Sequence, residues 1–360
     1  KSLSSMCSLR PSHYARPRVV IDWLWMRVSC QVAAKLKTPR IAAISADGEV
    51  EWESPRWLQT RGSHDSKMAA IPRGGLLEIS GSPAKFLQGH NCFGSDDAHA
   101  LGVVVIGQVC DALNLDMTDS ELAQVIAGDV ELVRVDVNYS FSTGTRANAL
   151  AWIRAAEQHG HLQHRGRGMM NGASVYWGKK SRLWEMLGYC KGQELADPKH
   201  VLPKELSHRD ELLAWADDKL RIEQRFHARG LRDLGLDRLS SWKCSTARDI
   251  FEVHRKKLTL SGELTMNETE FSKLRPALRT ALGMWRAGTD LRPPFLPART
   301  FYRYRKQLLD LAGVDIAVAP VNERSNVVPL VRYIEAVPAE APAWAHGTSL
   351  LWTPPERRRA

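Results

Sequence analysis

The chain has 360 residues, 44% apolar and 25% charged, with a formal net charge of +10. That profile excludes a disordered polar chain and suits a soluble globular protein of one large or two ordinary domains. No apolar run reaches eighteen residues, so no membrane span is expected. The excess of 50 Lys and Arg over 40 Asp and Glu favours a polyanionic partner. Six scattered cysteines without a C-x-x-C pair argue against a zinc ribbon or a disulfide framework. They fit reduced thiols in a cytoplasm.

Residues 1–19 are basic and serine-rich, lack an apolar h-region and show no periodicity, so neither a secretory signal nor a packed element is expected there. Ile21–Val28 suits a buried strand, followed by strands around Arg40–Ser45 and Gly75–Ser80. Ser82-Pro83 opens a short helix as cap and first-turn proline. Asp97–Asn114 and Asp119–Ala127 predict helices, the second capped by Asp119 or Ser120 and stopped at Gly128. The alternating, valine-rich Glu131–Phe141 predicts a strand, and Arg146–Gln158 an amphipathic helix. A loop rich in His, Arg and Gly leads to two short strands, Ser174–Gly178 and Trp184–Cys190. Pro203–Lys219 predicts a helix, Leu220–His227 a strand, and Pro276–Ala287 and Arg299–Leu311 later helices. Strands interleaved with helices, with strand pairs close in sequence, predict an α/β (α+β) fold on a mainly antiparallel sheet. A smaller helical domain follows.

Tyr176 and Tyr189 fall on the paired strands, close in sequence to Lys179, Lys180, Arg182 and Lys191. A phenol attacks a phosphodiester when its proton is removed and cations are near; an ordinary strand tyrosine merely packs. Period two puts Arg134, Asp136 and Asn138 on one strand face. Asp136 and Asn138 then offer oxygens to a hard cation such as Mg²⁺, or simply form the solvated side of a sheet. His159-Gly160-His161 imitates a metal-ligand pair, but its glycine and polar surroundings read as a solvated basic loop. His90 either caps a turn or contacts DNA. Arg299, Arg303, Arg305 and Lys306 interleave with Phe301, Tyr302 and Tyr304, as expected of a helix against DNA or of a solvated basic helix.

Taken in order, several blocks resemble the gene II replication protein family of filamentous bacteriophages. These are Ile21-Asp22-Trp23-Leu24, SPAKFLQGHNCFG at 82–94, RVDVNYSF, LGYCKGQEL at 187–195, LRIEQRFHARGLRDLGL at 220–236, SNVVPLVRYIE at 325–335 and Pro342–Trp344. The resemblance implies a rolling-circle initiator that nicks double-stranded circular phage or plasmid origin DNA through a 5′-phosphotyrosyl link and then religates the displaced single strand. It implies Tyr189 as nucleophile with Lys191 beside it, and Asp136 as the family's strand aspartate; acidic character and expected strand adjacency then point to Mg²⁺ or Mn²⁺ held by Asp136 with Glu194 or Glu223. DNA contacts are expected from His90, Arg134, Lys179, Lys180, Arg299, Arg303, Arg305 and Lys306, with a host helicase and polymerase as partners. The alternative is an origin-binding regulator without nicking activity. The expected organisation is an extension over 1–19 that need not be native, a nicking domain over 20–240, a helical DNA-binding domain over 241–345 and a flexible tail over 346–360. Family members typically begin Met-Ile-Asp, so Val20 is the expected natural start.

Overall fold

The computed structural model describes residues 19–62, 66–260, 274–312, 316–317 and 338–354. The block at 325–335, residues 1–18 and the basic stretch at 355–360 lie outside the described residues.

The first six strands are β1 (Val20–Ser29), β2 (Arg40–Ile44), β3 (Val50–Pro55), β4 (Leu58–Arg61), β5 (Lys67–Arg73) and β6 (Leu76–Gly81). Helices α1 (Pro83–Gln88), α2 (Ala98–Ala112) and α3 (Asp119–Ala127) lead to β7 (Glu131–Ser142) and α4 (Arg146–His159). Short strands β8 (Gly160–Leu162), β9 (Gly166–Arg167), β10 (Met169–Asn171) and β11 (Ser174–Trp177) precede β12 (Trp184–Cys190). Then come α5 (Lys191–Leu195), α6 (Arg209–Asp217), β13 (Lys219–His227), α7 (Ala228–Asp233), α8 (Thr246–Arg255) and β14 (Leu258–Leu260). Helices Pro276–Arg286 and Ala298–Ala312 follow.

Among the described residues, nine strands form one sheet in the order β10-β11-β12-β13-β7-β1-β6-β5-β4. Neighbours are antiparallel throughout. Period-two alternation divides its side chains. Leu24, Met26, Val135, Val137, Ile222, Phe226 and Met186 are fully buried in the main core, where α2, α4 and α8 pack. The opposite side carries charge and indole rings.

Local chemistry accounts for the boundaries that frame the site. Ser82 accepts the Lys85 amide, Pro83 occupies the first turn of α1, and Gly89 ends the helix at φ 80°. Thr118 and Glu121 form a reciprocal capping box, so the cap of α3 is Thr118, one residue before the expected position.

Several expectations need correction. Strands β3, β4 and β5 carry no clear sequence signal; they are short, β3 is largely exposed, and Pro55 and Pro72 break the usual strand pattern. The helix expected from Pro203 starts at Arg209. His161 belongs to β8, which pairs with β14 and β9, so this segment is part of a small sheet and not a polar loop. Val19 is fully buried in the main core and is not part of a loose extension. Ala247, Ile250, Phe251, Leu258 and Leu260 also join that core, so the first folded unit runs past 241 to residue 260. A separate apolar cluster gathers Leu274, Leu278, Leu282, Leu291, Phe301 and Leu308. The expected tail is not loose through 354. Ala345 and Leu350 are fully buried in a third cluster with Phe93, Leu195, Leu206 and Leu212. There Trp352 donates its amide to the Gln88 side chain at 2.9 Å.

Candidate active site

The polar side of the sheet centre is built by three adjacent strands. Register aligns Arg225 with Asp136, Glu223 with Asn138 and Arg221 with Ser140 between β13 and β7. Tyr189 on β12 lies opposite Arg221. The Tyr189 hydroxyl donates to Glu223 Oε2 at 3.0 Å, and Arg225 Nε donates to the other Glu223 oxygen at 2.8 Å. Tyr189 is only 8% exposed. Burial, followed by Glu194 and Glu223, raises its phenol well above 10, with Arg221 opposing. It therefore stays protonated near neutrality and needs a base during attack.

A second network anchors the turn after the tyrosine. Lys191 is fully buried, and its Nζ donates to Asn91 Oδ1 at 2.7 Å and to Glu194 Oε2 at 2.6 Å. Burial lowers the Lys191 ammonium, against Glu194, which favours its charged form. Asn91 in turn donates to Asp22 Oδ1 at 2.8 Å. Arg221, also fully buried, donates to Ser140 Oγ at 3.1 Å and to the Cys92 carbonyl at 2.5 Å. The first strand, the 82–94 block and the tyrosine segment thus share one set of polar bonds.

Sequence reasoning did not single out Asp22, Asn91, Arg221 or Arg225. Charge at every second position of β13, at Arg221, Glu223 and Arg225, was the available signal.

The three expected metal carboxylates do not form one site. Arg134 forks Asp136, with its Nε 2.8 Å from Oδ1, and Arg225 lies 3.6 Å from Oδ2. Burial raises the Asp136 carboxyl, Arg134 opposes, and Glu223 adds to the rise. Glu223 is taken by Tyr189 and Arg225, and Glu194 by Lys191. Among the described residues no three His, Cys, Asp or Glu side chains are grouped to hold a metal. Asn138 is different: it is fully buried, and among the described residues neither of its amide atoms has a hydrogen-bond partner.

The expected DNA contacts separate. His90 is fully buried, accepts the Cys92 amide on Nδ1 and contacts the Leu350 carbonyl through Nε2 at 2.8 Å. It is a structural link, not a surface contact. Arg134 serves Asp136 and lies over the Trp23 ring at 5.4 Å. Lys179 and Lys180 are exposed beside Tyr176, with Lys179 Nζ 4.9 Å from its ring. On Ala298–Ala312, Phe301 and Leu308 are buried, Arg299, Arg303 and Lys306 are exposed, and Arg305 is half-buried. Arg299, Arg303 and Lys306 therefore share one outward face, and Arg305 lies off it.

Residues 20–245 match the family model for the N-terminal region of the phage replication-associated protein, the gene II product, and residues 266–350 match that for its C-terminal region. The chain belongs to the gene II replication-associated protein family. The replication-associated protein of Enterobacteria phage I2-2 is 33% identical over 337 residues, covering 90% of this chain and 96% of the phage protein. That of Salmonella phage IKe is 24% identical over 309 residues, 72% of each chain. That of Enterobacteria phage f1 is 24% identical over 329 residues, 74% of this chain and 76% of its own. A solved rolling circle replication initiator protein from Geobacillus stearothermophilus shares 10% identity at a TM-score of 0.33, over 84% of this chain and 99% of its own. That likeness is too slight to bear on function. Among the described residues of this gene II family member, no helix is long and apolar enough to cross a membrane.

Proposed function

We propose that this gene II family protein initiates rolling-circle replication by nicking origin DNA with Tyr189. The observation that carries this reading is the phenol hydroxyl hydrogen-bonded to Glu223 on a strand face shared with Arg221 and Arg225. In the forward step Tyr189 Oη bonds to the scissile phosphorus as its proton passes to Glu223 Oε2. The bond from phosphorus to the 3′ oxygen breaks, and that oxygen gains a proton from water to become a priming hydroxyl. Arg221 offsets negative charge near the phenol, while Arg225 positions Glu223. In the reverse step a 3′-hydroxyl of the displaced strand bonds to the phosphotyrosine phosphorus and gives its proton to solvent, the phosphorus–Oη bond breaks, and Glu223 returns its proton to the phenolate. The phosphotyrosine conserves the bond, so joining uses no nucleotide cofactor.

Asp136 and Asn138, two residues apart on β7, would hold a Mg²⁺ ion only if it displaced the Arg134 fork on Asp136, with water completing the shell; the Asn138 amide, without a partner among the described residues, supports this assignment. When bound, Mg²⁺ polarises a phosphate oxygen. Lys191 and Glu194 hold the turn after Tyr189 in place. Lys179, Lys180 and the outward cations of Ala298–Ala312 contact DNA phosphates, while a host helicase unwinds the duplex and a host polymerase extends the exposed primer.

The test is supercoiled plasmid carrying the cognate origin, incubated with Mg²⁺. Relaxation with protein covalently on the DNA supports nicking. Tyr189→Phe should abolish adducts and leave origin affinity nearly intact, since one oxygen is removed. Adducts persisting in that variant would move the nucleophile to Tyr176. Retardation without relaxation by the parent protein would favour a regulator.

A further inference from the structure

Three tryptophans lie on the open side of the sheet, away from the core. Trp23 and Trp25 alternate on β1, and Trp57 precedes β4. All three are partly exposed. None belongs to, or packs against, any of the apolar clusters among the described residues. These indoles lie outside every core; Arg134 covers one face of Trp23, and the exposed parts of Trp25 and Trp57 are open to a ligand. Their edges are nevertheless held. Trp23 Nε1 donates to Ser80 Oγ at 3.1 Å, Trp25 Nε1 donates to Glu78 Oε2 at 3.1 Å, and Trp25 meets Trp57 edge to face at 5.9 Å. With Gln59, Lys67, Ala69, Ser80 and Gly81 they line a groove of about 430 Å³. That lies within the ~300–1,000 Å³ range of small-molecule clefts.

The groove joins the candidate active site. Trp23 lies opposite Asp136 in the β1–β7 register, and Arg134 bridges them by stacking on Trp23 while pairing with Asp136. β1 is three strands from β12, and β4 is six. At ~4.8 Å per strand the tryptophans stand roughly 14–29 Å from Tyr189. At ~3.4 Å per stacked nucleotide, that is roughly four to nine nucleotides along a strand. Lys67 supplies positive charge, while Arg134 is paired with Asp136 and Arg27 with the Glu78 carboxylate at 2.9 Å.

We propose that Trp23, Trp25 and Trp57 form a stacking track for unpaired bases of the DNA strand adjoining the scissile phosphate. Indole faces stack on any base, so the track is sequence-tolerant, selects single-stranded over duplex DNA and keeps the melted strand from re-pairing. This rests on the nicking face assigned above, but its test needs no cleavage.

Anisotropy of a labelled single-stranded oligonucleotide is titrated with full-length protein, without Mg²⁺, alongside a duplex of the same sequence and an abasic version. Trp57→Ala should weaken single-strand affinity about ten-fold, within the range for removing one stacking partner, while leaving duplex affinity and salt slope unchanged. Trp57→Phe should restore most of the affinity. The parent should bind the abasic strand more weakly by a similar factor, and Trp57→Ala should no longer distinguish it from the intact strand. The abasic comparison on parent protein keeps the test valid if the alanine variant folds poorly. Equal parent affinity for abasic and intact strands would overturn the track, as would equal losses on duplex and single strand. Base-dependent binding with Tyr189→Phe adducts persisting would retain the track and remove the nucleophile assignment; the converse would do the opposite.

Discussion

At Glu194 two effects oppose each other. Burial would raise its carboxyl, but Lys191 and then Arg221 outweigh burial and hold it at about 2, against an ordinary 4.5. A depressed carboxyl contributes stability that is present above pH 4.5 and lost as pH falls towards 2. Glu194→Gln should therefore flatten the acid limb of stability in that window. At neutral pH it should cost about 3–5 kcal/mol, because Lys191 is left buried without a counter-charge. Urea unfolding at several pH values measures both. An acid limb identical to the parent's would show that Glu194 does not gain stability from Lys191.

Two other carboxylates should separate by kinetics. Glu223→Gln removes the base, so nicking should fall about 10²–10⁴-fold at saturating Mg²⁺ with DNA affinity retained. Asp136→Asn should instead raise the Mg²⁺ concentration needed for half-maximal nicking. Interchanged effects would exchange the two roles. The placement of Tyr189 and Asp136 on the polar side of the sheet was legible, because motif and strand alternation both mark them, whereas Lys191 was marked by the motif alone. The role of His90 was not legible, because its partner carbonyl belongs to Leu350, 260 residues away. Nor could spacing show that each expected metal carboxylate is engaged by a neighbouring cation.

Among the elements, β7, β12, β13 and α4 were legible because a half-buried strand or amphipathic helix writes its period into the chain. The run of short strands from β3 to β5 was not: β3 is exposed on both faces apart from half-buried Pro55, and no apolar alternation results. The helix Ala298–Ala312 lies between these cases. Its cations were evident, but only the burial of Phe301 and Leu308 reveals the outward face. Replacing Arg303, Arg305 and Lys306 together by Gln should weaken origin binding and lower the log–log salt slope by up to ~0.9 for each phosphate no longer neutralised. A slope equal to the parent's, measured by filter binding at several salt concentrations, would place this helix away from DNA.

On the scale of the whole molecule, the C-terminal family region returns to the N-terminal one through residues 341–352. Leu350 is fully buried among side chains from the 82–94 block and α6, and its carbonyl meets His90. Leu350→Ala should cost about 2–5 kcal/mol by chemical denaturation, as for other buried large-to-small changes. A loss below ~1 kcal/mol would mean that this return segment is not part of the cooperative unit. Sequence resemblance marked Pro342–Trp344 as characteristic, but periodicity gave no hint of a partner across the fold, because short irregular segments pack without a repeat.

That return segment also imposes an order in time. The carbonyl that meets His90 is supplied by Leu350, and His90 directly precedes Asn91, which holds Lys191 two residues beyond Tyr189. Ribosomes deliver Tyr189 long before Leu350 exists. A polypeptide still tethered at the ribosome, or ended early by a nonsense codon, carries the tyrosine without the last brace on its surroundings. Translation as far as the return segment is thus written into the architecture of the turn that follows Tyr189.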